Sequence, residues 1–264
     1  MNRIRSTFAE LGRRRETALL PFLTAGYPRP GDLPELVEAV VDAGADLVEI
    51  GLPFSDPLAD GPVIQQSSQQ ALAQGMSIAR ALDEAAAARE RVEVPLVFMG
   101  YLNPLLAYGL ERFCRAAVRA GVDGLIVPDL PVEEASELRR AAKPAGLAPT
   151  FLIAPTSTAQ RMRAVDRASA VFSYCVALTG ITGAALGIDR ELRRYLGQVR
   201  RNLRKPYVVG FGVSRPEQVR ALAGLADGVV VGSALIRALA AGPRSGARRR
   251  AAELVRQLKR GTRR

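Results

Sequence analysis

The 264-residue chain contains no histidine. That excludes a Ser-His-Asp triad, a histidine proton shuttle and the usual histidine-rich metal sites. Acid/base chemistry must therefore fall to carboxylates, tyrosines or lysines. Cysteine is scarce too. Cys114 and Cys175 are too few for a disulfide framework and lack metal-ligand spacing, so buried, reduced thiols in a cytoplasmic protein are expected. The basic N-terminus is followed by an apolar stretch too short for the h-region of a signal peptide, and a cleavage site is missing. One uncharged run, 168–188, is long enough to span a bilayer. Its middle reads "TGITG", turn chemistry that would leave backbone groups unpaired in lipid, and its first part, "AVFSYCVAL", reads as a buried strand.

Acids are outnumbered: the formal net charge is +11. Residues 244–264 hold nine Lys or Arg and one acid, Glu253, so that tail carries +8 and the rest +3. A solvated basic helix with a frayed end is the expectation. Nucleic-acid binding is the other reading, but aromatics do not interleave with the arginines.

What the chain does have is alternation. Short apolar runs near 18–23, 46–50, 95–98, 123–127, 149–153, 171–175, 206–209 and 228–231 read as strands. Between them lie amphipathic stretches closed by glycine, such as "GLERFCRAAVRAG". The spelling repeats as well: "AGADLVEIG", "AGVDGLIVPDLP" and "LADGVVVGSA" each place a small residue and an Asp before an apolar strand. Eight such units predict an α/β fold, a single (β/α)8 TIM barrel over 1–264 with a basic helix or tail at about 244–264. In such a barrel the chemistry sits where the strands end. None of those strand ends carries a lysine, which argues against a Schiff-base aldolase, and the missing histidines argue against several sugar-phosphate barrel enzymes.

Glu49 lies inside a strand, between Val48 and Ile50. A carboxylate facing the helices would be costly, so it is expected to point inward near the catalytic end, where burial raises its proton affinity toward that of a general acid/base. A buried Glu satisfied by a neighbouring loop is the plainer alternative. The loop that follows, "GLPFSDPLADG", carries Asp56 and Asp60. Either one could instead be a turn-forming aspartate, Asp56 more readily than Asp60. Two acids in one pocket but in different surroundings can divide the labour, one moving protons and the other staying ionised. Later, "TGITG" (179–183), "GFG" (210–212) and "GSA" (232–234) follow three consecutive strands. Such loops let backbone N–H groups approach an anion, and Ser233 opens a helix whose N-terminus favours one, so a phosphate site is expected there. "GFGVSRP" is not a dinucleotide fingerprint, because Arg215 stands where the third glycine belongs.

Taken together, "EIGLPFSDPLADGPVIQ", "PFLTAGYP", "MGYLNP", "VPDLPVEE", "TGITG", "VVGFGVS" and "VVVGSA" resemble the tryptophan synthase α-subunit family over nearly the whole chain. The resemblance implies a (β/α)8 barrel that cleaves indole-3-glycerol phosphate by a retro-aldol reaction to indole and glyceraldehyde 3-phosphate. It implies Glu49 as the proton-shuttling acid/base, Asp60 as the carboxylate at the indole N–H, and Tyr174 as a catalytic-pocket tyrosine, which could also be a core aromatic. Phe22, Met99, Tyr101, Ile126 and Thr182 would contact the substrate, and Gly183, Gly212, Gly232 and Ser233 its phosphate. The pocket residues Phe22, Met99, Tyr101 and Ile126 could equally be barrel filling. The implied partner is a β subunit in an α2β2 complex, meeting the loop of Pro53, Asp56 and Pro57. Pyridoxal phosphate is expected in that partner, with no cofactor in this chain. A stand-alone lyase releasing free indole is the alternative. One departure is Gln70, where relatives often carry arginine; the strongly basic tail is another.

Overall fold

The computed structural model describes residues 2–176, 190–210 and 212–263. Its strands are β1 (Ala18–Thr24), β2 (Val48–Gly51), β3 (Leu96–Met99), β4 (Gly124–Ile126), β5 (Ala148–Thr150), β6 (Leu152–Ile153), β7 (Ser173–Val176), β8 (Tyr207–Gly210) and β9 (Gly228–Val231). All pairings are parallel, in the order β5-β4-β3-β2-β1-β9-β8-β7-β6. β5 and β6 are two halves of one stave, divided at Phe151. The lower half pairs with β4 and the upper half with β7, while the Phe151 carbonyl accepts the Tyr174 N–H at 3.1 Å. Eight staves thus close a barrel, with helices between consecutive staves.

The repeated Asp has a structural cause. Asp46, Asp123 and Asp227 each stand just before a stave, and each Oδ2 accepts an N–H at the start of the preceding stave: Leu19 at 2.8 Å, Leu96 at 3.0 Å and Tyr207 at 3.1 Å. The same aspartates donate their own N–H back to those residues' carbonyls. A buried N–H at the barrel's lower rim needs an acceptor, and the carboxylate supplies it. Midway along the fifth stave, the Ser169 hydroxyl accepts the Phe151 N–H at 3.1 Å. Each carboxylate also meets a cation: Lys259, Arg89 and Arg200 respectively. Asp123 is 7% and Arg89 13% exposed, so their pair is nearly buried. Removing Asp123 leaves the Arg89 charge with only the carbonyls of Gly121, Val92 and Val94, and the Leu96 N–H without its acceptor. Asp123→Ala is therefore expected to cost about 3–5 kcal/mol of stability. The urea-unfolding midpoint reads this, and an unchanged midpoint would contradict it.

The lower end of the barrel is plugged. Helix Arg3–Arg14 buries Ile4, Phe8 and Leu11, and the Phe8 ring lies 5.6 Å from that of Phe172. The Ile4 side chain reaches the space above Gly124 that a Cβ would fill, at 2.9 Å. Only the upper end remains for chemistry.

The C-terminal segment differs from the expected frayed, solvated helix. Helix Ala247–Lys259 buries Ala247, Ala251, Val255 and Leu258. Several cations of the segment are engaged by the fold: Arg244 with Asp32, Arg248 with Glu35 at 3.2 Å and Lys259 with Asp46 at 2.7 Å. Arg250 donates to the carbonyls of Ala238, Leu239, Gly242 and Pro243, capping the end of helix Ser233–Ala240. Thr262 is fully buried, and its carbonyl accepts the Thr17 N–H at 2.9 Å. The basic run is a strap, and much of its charge is used internally. Both cysteines are buried and free, and burial raises their thiols to about 11 for Cys114 and about 12 for Cys175. Among the described residues no helix is long and apolar enough to cross a membrane, and the described start of the 168–188 run contains β7.

Candidate active site

Side chains alternate along each stave, and a closed eight-stave barrel advances by one residue per stave. Applied to the observed register, this places Glu49, Ile126, Tyr174 and Val230 in one inward layer, with Phe22, Met99, Leu152 and Gly210 in the layer above. These eight residues form the walls and floor of a cavity of about 190 Å³, and its mouth is completed by residues including Asp60, Ile64, Pro128, Val176, Gly212, Gly232 and Ser233.

Two glycines make the layers fit. A Cβ on Gly51 would lie 2.4 Å from the Phe22 ring, and one on Gly210 would lie 2.5 Å from the Tyr174 hydroxyl. The phenol thus occupies the space a side chain would need in the layer above.

Glu49 is 2% exposed, and neither carboxylate oxygen has a hydrogen-bond partner among the described residues. Its layer is otherwise Ile126, Val230 and a tyrosine. Burial disfavours the charged form and, with a smaller push from the negative charge of Asp60, raises Glu49 to about 8. The alternative of a Glu satisfied by a neighbouring loop finds no support among the described residues.

Asp60 comes from the loop after β2 and reaches the cavity. Burial raises it to about 6, and a hydrogen bond from the Tyr101 hydroxyl moderates the rise. Asp56 does not line the cavity; it is exposed and accepts a hydrogen bond from Ser55. Tyr174 does line it, and its phenol is held well above the ordinary range by burial and by the two carboxylates, so it stays protonated.

Of the expected substrate contacts, Phe22, Met99 and Ile126 are on the wall. Tyr101 stands behind it: its hydroxyl accepts the Ala59 N–H at 3.0 Å and its ring lies 5.3 Å from that of Phe54, so it braces the acidic loop. Across the cavity, Gly212 adopts the left-handed φ of +59°, and Gly232 and Ser233 present the start of helix Ser233–Ala240. The first N–H groups of a helix lack internal partners and favour an anion. Thr182 and Gly183 lie outside the described residues, as does the whole "TGITG" loop. The sequence reading missed Leu152 and Val230, whose inward direction follows only from the register, and Ile64, which reaches the mouth from helix Pro62–Ala73. Gln70, the departure from relatives, donates to the Pro28 carbonyl at 3.2 Å, away from the cavity wall. Among the described residues no group of three or more His, Cys, Asp or Glu could hold a metal ion.

This geometry can be set against known proteins. A sequence model of the family described as "Tryptophan synthase alpha chain" matches residues 8–263. The chain belongs to the tryptophan synthase alpha chain family. A tryptophan synthase alpha chain from Geobacter sulfurreducens is 47% identical over 237 residues, covering 90% of each chain. One from Roseiflexus castenholzii is 46% identical over 260 residues, covering 98% of this chain and all of its own. Among solved structures, tryptophan synthase subunit alpha from Legionella pneumophila str. Paris superposes with a TM-score of 0.92 at 36% identity, covering 99% of this chain and 98% of that one. Membership in the tryptophan synthase alpha chain family makes the chain an enzyme of tryptophan biosynthesis built on a (β/α)8 barrel.

Proposed function

We propose that the cavity cleaves indole-3-glycerol phosphate to indole and glyceraldehyde 3-phosphate. The observation that carries this reading is a pair of carboxylates, Glu49 and Asp60, lining one cavity opposite a glycine-lined helix start; burial raises both, Glu49 to about 8 and Asp60 to about 6. Between these values the pair holds one proton, and it resides on Glu49. The reaction asks for that distribution. Glu49 donates its proton to indole C3, which places positive charge on the ring nitrogen, and the Asp60 carboxylate stabilises that charge and the N–H. Glu49, now ionised, takes the proton of the glycerol hydroxyl next to the scissile bond. The C–C bond then breaks, the aldehyde forms, and the electron pair returns to the ring to give indole. Glu49 ends protonated, as it began. Phe22, Met99, Ile126 and Leu152 supply an apolar wall for the indole, and Tyr174 supplies a neutral hydroxyl beside the acids. Gly212, Gly232 and Ser233 suit the phosphate, and the family resemblance adds Gly183 and Thr182.

In this reading the indole passes to a β subunit that carries pyridoxal phosphate, within an α2β2 complex in the cytoplasm, while this chain works as one barrel domain without a cofactor. The loop after β2 is the docking candidate, and Leu58 at its tip is 93% exposed.

The test is indole release by the purified chain across pH, with and without a β subunit. A bell is expected. Below about 6 Asp60 gains a proton and the rate falls; above about 8 Glu49 loses its proton and the rate falls again. Added β subunit is expected to raise turnover. Full turnover alone would indicate a stand-alone lyase, and no release under any condition would defeat the reading.

A further inference from the structure

Gln65 lies in the first turn of helix Pro62–Ala73, yet its side chain does not serve the helix. A helix start has spare N–H donors, not spare carbonyls, so an amide donor there adds nothing to the helix itself. Instead Gln65 Nε2 turns back and donates to the carbonyls of Asp60 at 2.9 Å and Pro57 at 3.3 Å. The Pro57 carbonyl also accepts the Asp60 N–H at 3.0 Å. One side chain therefore ties both ends of the four-residue turn 57–60.

Packing holds this turn only at its ends: Pro57 is buried and Asp60 partly so. Leu58 is almost wholly in water, and Ala59 and the preceding Ser55 and Asp56 are exposed. Between the buried Pro57 and the cavity, hydrogen bonds fix it: Tyr101 at Ala59 and at the Asp60 carboxylate, and Gln65 at the two carbonyls.

We infer that Gln65 is a positioning residue, holding the 57–60 turn so that the Asp60 carboxylate stays inside the cavity instead of swinging into water. The catalytic meaning of this role rests on the reading of Asp60 given above; the geometric claim does not. Asp60 faces Glu49 from β2, Tyr174 from β7 and Tyr101 from the loop after β3, with Asp129 beyond Tyr101 and Asp56 on its own loop. Among the described residues no cation contributes to its proton affinity, and burial is what keeps that affinity high. Release into water would lower it.

The experiment replaces the amide with an isostere that cannot donate. In Gln65→Met, a ¹³C-carboxyl titration of Asp60 is expected to fall from about 6 toward the ordinary aspartate value of about 4. Indole release, measured as kcat/KM, is expected to drop by about tenfold or more. The melting temperature is expected to stay near wild type. Gln65→Leu, which removes the donor with a different shape, should move Asp60 the same way and serves if the methionine variant folds poorly. An Asp60 titration unchanged in a folded variant overturns the inference. A wild-type chain that releases no indole, alongside a shifted Asp60 in Gln65→Met, would instead sink the functional reading and leave the positioning role standing.

Discussion

Glu49→Gln is expected to lower kcat by at least ~10²-fold while leaving substrate binding nearly unchanged. The substitution is close to isosteric. At neutral pH Glu49 is held protonated, so a neutral amide resembles the resting side chain in both shape and charge. The barrel layer of Ile126, Tyr174 and Val230 around it should therefore stay packed. What the amide cannot do is give up a proton to carbon and then take one from a hydroxyl. A ~10² loss corresponds to roughly 2.7 kcal/mol of barrier, within the range that one positioned proton donor supplies. The measurement is steady-state indole release with an independent binding isotherm for the substrate. Turnover within a few-fold of wild type would remove Glu49 from the proton path.

Asp60→Asn should cost as much or more, about 10²–10³-fold in kcat/KM, because it removes the charge opposite a developing cation. It also carries a diagnostic that a packing defect would not. The ionised Asp60 is one cause of the high proton affinity of Glu49, although burial is the larger. With the asparagine, ionising Glu49 becomes easier, so the alkaline limb of the residual rate should move below about 8 yet stay above the ordinary carboxylate range. The acid limb near about 6, assigned to Asp60, should disappear. An alkaline limb that does not move would mean that the two carboxylates do not sense each other.

Much of this was legible in the chain. Strands alternating with helical stretches predict the eight staves, since a buried parallel strand needs a short apolar run. A lone Glu inside such a run has few places to point. Other features depend on partners far away in sequence. The repeated Asp before a strand is visible as spelling, but its bond runs to a residue such as Leu19, 27 positions upstream of Asp46. The division of the fifth stave at Phe151 follows from pairing two different neighbours, which periodicity does not encode. The tail misled for a related reason: charge counted along the sequence ignores Asp32, Glu35 and Asp46, which meet it from the other end of the chain. Tyr101 was readable as a pocket aromatic, whereas its role behind the acidic loop depends on contacts with Ala59, Asp60 and Phe54 that its own stretch of sequence does not show.

The whole account turns on where one proton sits in the free protein at pH 7. Carboxyl-selective ¹³C labelling, followed through a pH titration, resolves Glu49 and Asp60 separately. The prediction is a protonated Glu49 beside an ionised Asp60, with the pair titrating near about 6 and about 8. Finding both carboxylates ionised at pH 7 would contradict it.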